Sequence, residues 1–263
     1  MSAMTGRLND KIAVITGAAN GIGKTAALRF AEQGCAVAVA DINLENAWAT
    51  ADAIDQAGGK ALPIAVDVSD AESIAAMYRE TERHFGGIDI LFNNAAVVDP
   101  GDKDICDTSL EAWSKTIAVN LTGVFLCCNL GIPALLRRNG GVILNTASIV
   151  ALVGSTPSQI AYTASKGGVV AMTREIAVAY ARKGIRANSI LPGVTRTAMG
   201  DQMVKDEEGF AVRRQHMPMG RLAEPREIAD TALYLCSDEA SFVTGQSVVV
   251  DGGLTSAYLC PTD

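Results

Sequence analysis

In the stretch Tyr162-Thr163-Ala164-Ser165-Lys166 a phenol and an ammonium stand four residues apart. The stretch reads as part of a helix, on which that spacing brings both side chains to one face. A lysine charge beside a phenol favours the phenolate. An unperturbed tyrosine titrates near ~10, so about one in a thousand is ionised at pH 7, and each unit of depression corresponds to roughly 1.4 kcal/mol. A tyrosine placed in this way can take a proton from an alcohol or give one to a ketone. Tyr and Lys at this spacing also occur on solvated helix faces, so the chemistry depends on what the rest of the chain brings to the pair.

Two further stretches are suited to holding a dinucleotide. Thr16-Gly17-Ala18-Ala19-Asn20-Gly21-Ile22-Gly23-Lys24 follows an apolar β-branched run and opens a helical pattern. Glycines at such a turn let backbone N–H groups approach a pyrophosphate, and the helix N-terminus adds partial positive charge. The spacing is GxxxGxG, not the commoner GxGxxG. Asp41 lies 18 residues beyond Gly23, at the end of the next apolar run. A carboxylate there can accept hydrogen bonds from both ribose hydroxyls of NAD and repels the 2′-phosphate of NADP. It can equally cap the helix that starts near Leu44.

The elements that must position these residues are legible as an alternation. Short strand-like runs at residues 12–16, 36–41, 61–66, 88–93, 142–146, 185–191 and 247–250 are separated by segments of helical period, among them 22–33, 44–57 and 71–85. Seven strands joined by crossovers predict a doubly wound parallel sheet in one α/β domain spanning residues 1–263. The composition, 49% hydrophobic with 5% aromatic residues, suits a sheet buried on both faces by aliphatic side chains.

Charge and cysteine usage exclude other classes. A net charge of −7 argues against nucleic acid or an anionic membrane as partner. The six cysteines show neither a CxxC pair nor metal-ligand spacing, and His84 and His216 have no acidic or cysteine cluster beside them, so no metal site is expected. With no apolar leader at the start, the expectation is a cytoplasmic protein.

Thr16 to Gly23, Asp41, Asp67-Val68, Asn93-Asn94-Ala95-Ala96, Asn120, Ser148, Tyr162 with Lys166, and Pro192-Gly193 together resemble the short-chain dehydrogenase/reductase family in order and approximate spacing, from about residue 11 to 253. The resemblance implies a Rossmann fold and a catalytic set of Asn120, Ser148, Tyr162 and Lys166. Tyr162 would be the general acid/base. Lys166 would lower its pKa and hold the nicotinamide ribose. Ser148 would bind the substrate oxygen, and Asn120 would hold Lys166 through its backbone carbonyl and a water. NAD would be bound by Gly17, Asn20, Gly21, Ile22, Gly23, Asp41, Asp67, Val68, Asn94, Ala95, Tyr162, Lys166, Pro192, Gly193, Thr195 and Thr197. Two departures stand out. The family usually has Gly where this chain has Ala96, which would cost ~1 kcal/mol if positive φ were needed, and Ile or Val where it has Thr195.

Substrate identity is expected in residues 97–108 and in a loop or lid at about residues 194–219, with Ile149 to Leu152, Pro157 and Gln159 lining the pocket. Mostly apolar walls suggest a modest, apolar or ring-containing secondary alcohol or its ketone. The family likeness further implies a homotetramer. The reading is an NAD-dependent alcohol dehydrogenase or carbonyl reductase. Its rivals are a 3-oxoacyl thioester reductase, which Asp41 disfavours because such enzymes usually use NADPH, and a non-catalytic NAD-sensing protein, which need not retain the four catalytic residues.

Overall fold

A computed structural model describes residues 6–201, 210–211 and 214–257. Seven strands form one parallel sheet: β1 (Ile12–Thr16), β2 (Ala36–Asp41), β3 (Lys60–Ala65), β4 (Ile90–Asn93), β5 (Gly141–Thr146), β6 (Ile185–Pro192) and β7 (Ser247–Val250). The order is β3-β2-β1-β4-β5-β6-β7, so the chain reverses direction across the sheet between β1 and β4. There the register sets Thr16 beside Asn93. A crevice opens outside the carboxyl ends of the strands at such a reversal, the usual place for a ligand in this architecture. Pro63 interrupts β3, which is tolerated because β3 is an edge strand.

The helices cover both faces, as the crossovers require. One core forms where α3 (Ala71–Phe85), α5 (Gly123–Arg137) and α6 (Ile160–Tyr180) meet the sheet, around Ile74, Leu91, Ile143 and Val169. The other forms under α1 (Gly21–Glu32), α2 (Leu44–Gln56) and α8 (Pro225–Cys236), around Phe30, Phe92, Leu144 and Leu233. A four-residue helix, α7 (Ala198–Asp201), precedes α8. Helices α1 to α3 lie within one residue of the ranges read from periodicity.

Two helices differ from a simple periodic reading. The helix beginning at Leu110 is not continuous: α4 (Leu110–Ile117) passes into a π turn at Ala118–Thr122 before α5 resumes. The whole stretch Leu110–Arg137 is long and apolar enough to cross a membrane, yet half of its most apolar window is buried within the fold. Helix α6 starts at Ile160, where the first donors of the helix are met by a distant segment described below.

Gly131 allows α5 to lie close to the sheet. A Cβ there would come 2.6 Å from Leu91 Cδ1 and 2.9 Å from the Tyr78 ring, whose hydroxyl donates to Cys127 O at 2.9 Å. Gly131→Ala is therefore expected to lower unfolding stability by about 1–3 kcal/mol through overpacking, measured by chemical denaturation. An unchanged midpoint would show that α5 can move away from β4 without loss.

Candidate active site

Most of the residues singled out from the sequence converge on the crevice, those in loops because they sit at or just beyond carboxyl ends of strands, and Tyr162 and Lys166 from within α6. After β1, Gly17 turns at φ +67°, and a Cβ on it would approach Ala95 Cα to 2.9 Å. A Cβ on Gly23 would stand 2.0 Å from Gly17 O, so only hydrogen lets the first turn of α1 rest on the loop. Asn20 is the N-cap of α1 but its side chain makes no capping bond, and the first turn carries no acid. The head of α1 thus has no side-chain cap or acid of its own, and Asn20, Gly21 and Ile22 line the cavity, a cradle that fits a pyrophosphate.

Asp41 stands at the end of β2, partly exposed. Its Oδ2 accepts from Ala19 N at 3.0 Å and its Oδ1 from Asn43 N at 2.9 Å. The N-cap of α2 is Asn43, whose side chain accepts from Asn46 N, so Asp41 is not the cap. The carboxylate instead ties the glycine turn to β2. Each oxygen retains lone-pair capacity toward the cavity.

Asn94 knits three strand ends together. Its Nδ2 donates to Thr16 O and Gly17 O at 3.3 and 3.2 Å, and its Oδ1 accepts from Thr146 Oγ1 at 3.1 Å. Thr16 Oγ1 in turn accepts from the backbone N–H groups of Asn94 and Ala95. Ala96 is not among the positive-φ residues, so the alanine that departs from the family pattern carries no strain. Thr195 is buried and its hydroxyl donates to Gly193 O at 3.1 Å, fixing the turn after β6.

Tyr162 and Lys166 share one face of α6, as their spacing predicts, with the Lys166 Nζ 5.5 Å from the Tyr162 ring centroid. Lys166 is 1% exposed and donates to Thr146 O at 2.8 Å. Burial is the dominant influence on both. It pushes the Tyr162 phenol up to about 12, with the Ser148 hydroxyl opposing, and lowers the Lys166 ammonium to about 8. This corrects the expectation that Lys166 lowers the phenol: in the free protein desolvation wins, and both groups move toward their neutral forms. Ser148 caps the short turn Ile149–Ala151, its Oγ accepting from Val150 N at 3.4 Å. The Asn120 side chain, wholly buried in the π turn, accepts from Val97 N at 2.8 Å and donates to Val97 O at 2.9 Å.

A cavity of about 1820 Å³ runs from Asp41 to Ala257. It is lined by Gly17, Asn20, Gly21, Ile22, Asp41, Asn94, Ala95, Ser148, Tyr162, Lys166, Pro192, Gly193, Thr195 and Thr197 from the expected set. Gly23, Asp67, Val68 and Asn120 are not on its wall. Asp67 is exposed and accepts from Ser69 N at 2.8 Å. At the far end Ile149, Val150, Val153 and Gln159 line it, whereas Ala151, Leu152 and Pro157 do not. Residues 97–108, expected to bear on substrate choice, do not line this cavity. From residues 194–219, Met199, Phe210, Arg214, His216, Met217 and Met219 face the cavity, while Asp206 to Gly209 lie outside the described residues. Among the described residues no cluster of His, Cys, Asp or Glu could hold a metal ion. Sequence reasoning missed Thr146, whose carbonyl holds Lys166, and Asp102, which meets α6 from 60 residues away.

Residues 17–255 match the family described as enoyl-(acyl carrier protein) reductase. The chain is 41% identical to cyclohexanol dehydrogenase of Acinetobacter sp. (strain SE19), over 96% of this chain and 98% of that protein. It is 37% identical to 3-oxoacyl-(acyl-carrier-protein) reductase of Thermotoga maritima, over 94% and 99%. A crystal structure of a short-chain type dehydrogenase/reductase from Mycobacterium marinum superposes with a TM-score of 0.90 at 37% identity, covering 95% of this chain and 97% of that one.

The buried ammonium makes stability depend on pH. Folded Lys166 releases its proton near pH 8, while an unfolded lysine holds it to about 10.5. Between those values the unfolded chain binds the extra proton, so folding becomes more favourable as pH rises. Relative to Lys166→Met, the native protein should gain on the order of 3 kcal/mol between pH 8 and 10.5. Urea unfolding of both proteins at several pH values checks this. Parallel curves would show that Lys166 is not desolvated.

Proposed function

The chain belongs to the short-chain dehydrogenase/reductase family, and from that premise we propose that it is an NAD-dependent dehydrogenase interconverting a secondary alcohol and its ketone. The observation that carries this reading is the buried Tyr162–Lys166 pair opening on the same cavity that Asp41 closes at its other end. When bound, NAD would supply the hydride acceptor. The glycine turn and the head of α1 would hold its diphosphate, Asp41 its adenosine ribose, and Lys166 its nicotinamide ribose. Pro192, Gly193, Thr195, Thr197, Asn94 and Ala95 would complete the cofactor surface along the cavity, whereas Asp67 and Val68, expected there too, stand off its wall.

The protein's own part is to orient the alcohol and accept its proton. Ser148 and Tyr162 would share the substrate oxygen, and the proton would pass to the Tyr162 oxygen while Lys166 stabilises the phenolate. Burial raises the proton affinity of the phenol, so its phenolate is a strong base, and the Lys166 ammonium near the ring would offset part of the cost of forming that phenolate. Asn120 would hold this arrangement from the π turn. The apolar wall formed by Ile149, Val150, Val153, Met217, Met219 and Leu254 favours a ring-containing substrate, and the likeness to cyclohexanol dehydrogenase points the same way. The likeness to a 3-oxoacyl-(acyl-carrier-protein) reductase favours thioester reduction as a second reading, against which stands Asp41.

A homotetramer accords with exposed apolar side chains on α5 and α6, Phe125 and Val178, and with Phe242 before β7. A cytoplasmic location accords with five free cysteines among the described residues.

A panel of cyclic and open-chain secondary alcohols with NAD, and of 3-oxoacyl thioesters with NADH and NADPH, read by nicotinamide absorbance, separates the readings. Tyr162→Phe should lower turnover by on the order of 10² or more while NADH binding persists. Near-normal turnover would remove Tyr162 from the mechanism. NAD should be preferred to NADP by on the order of 10² to 10³ in kcat/KM, since Asn20, Ile42 and Asn43 offer no cation to a 2′-phosphate near Asp41. Asp41→Ser should narrow that ratio. An equal or better kcat/KM with NADP for the native protein would show that Asp41 does not select the cofactor.

A further inference from the structure

Helix α6 carries the proposed acid/base on its first turn, yet its own N-cap residue, Gln159, gives it no side-chain capping bond. The donors there are met from residues 97–103. Asp102 Oδ1 accepts from Ala161 N at 2.9 Å and Oδ2 from Tyr162 N at 2.8 Å, and Lys103 O accepts from Ile160 N at 3.0 Å. Asp102 is 8% exposed and makes no ion pair among the described residues. Its charge is balanced by the positive end of α6 and by two charge-assisted hydrogen bonds.

The segment that delivers Asp102 is itself fixed at both ends. At Val97 it is clasped in both directions by the Asn120 side chain. At Asp99 it is held by Lys115 of α4 at 3.0 Å and by the Gly101 N–H at 2.8 Å. The Lys103 N–H donates to Thr108 Oγ1 at 2.8 Å. Residues 97–103 therefore run as a strap from the π turn that holds Asn120 to the backbone of Tyr162. Because one of the N–H groups Asp102 receives is that of Tyr162 itself, the strap sets where the tyrosine Cα lies. The phenol oxygen, at the far end of the ring, magnifies any rotation of that helix end.

We propose that Asp102 is a positioning residue for proton transfer: it holds Tyr162 in register with Asn120 and Ser148 by bonding the tyrosine's backbone. The inference rests on Tyr162 being the acid/base. It assigns to residues 97–103 the role of aligning catalytic groups rather than touching substrate.

Asp102→Asn keeps the size and one acceptor, and Asp102→Ala removes both acceptors. Misplacement of a reacting group by about 1 Å costs on the order of 10²-fold in rate. The expected result is kcat falling about 10- to 100-fold in the alanine variant and less in the asparagine variant. The dissociation constant for NADH should stay within about threefold, and the solvent deuterium isotope effect on kcat should rise as proton transfer becomes slower. All assays run well below each variant's melting temperature. Gly131→Ala, destabilised at a distance, serves as the control and should keep its kcat and isotope effect. Asp102 is only a structural cap if both variants turn over within twofold of the native protein, or if kcat and NADH affinity fall together with an unchanged isotope effect. Tyr162→Phe is measured alongside. If it keeps normal turnover, the proposed function and this inference both fall. If it is inactive while the Asp102 variants are normal, only the inference falls.

Discussion

A charged amine buried with no carboxylate paired to it among the described residues is the constraint around which this molecule is arranged. Lys166 is 1% exposed, and the group that receives its hydrogen bond is a backbone carbonyl, that of Thr146 at the end of β5. Burying an ammonium in this way is costly, and its lowered proton affinity is the mark of that cost. The surrounding structure supplies what offsets it. The sheet brings the ends of β1, β4 and β5 together, Asn94 locks them, and the carbonyl of Thr146 is thereby held where the amine needs it. A large core on each face of the sheet provides the stability that a buried charge draws upon.

The chemistry-bearing residues were legible in the sequence because they are local. The Tyr162–Lys166 spacing, the glycine turn and the carboxylate closing β2 each depend on a few neighbouring positions, and the strand–helix alternation places all of them at the carboxyl end of the sheet. Helix α3 matched its periodic reading to the residue, since Asp70 caps it and Gly86 ends it. What could not be read was non-local. Nothing near Asp102 in the chain indicates that it meets α6, because the contact spans 60 residues. The direction of the Tyr162 shift follows from burial, which a helical wheel does not contain. Asn43 and not Asp41 caps α2 because Asp41 is occupied by Ala19 N, a contact between strand end and turn.

The same distinction explains the departures from family pattern. Ala96 is tolerated because the backbone at that position never enters the left-handed region, so the methyl group has no torsional cost. Thr195 is accommodated because its hydroxyl finds Gly193 O within its own turn, leaving no buried polar atom unmet. Both substitutions concern side chains where the position is defined by main chain.

The π turn at Ala118–Thr122 has a consequence for the helix that contains it. A π turn carries one residue more than an α-helix of the same rise, so the apolar stripes of α4 and α5 are out of phase by about 100°. Deleting one residue there would give a smoother helix, but it would swing one stripe away from its core and turn Asn120 from Val97. Length at this point in the chain is therefore as strictly specified as residue identity, and a homologous segment one residue shorter could not substitute for it, however similar its composition.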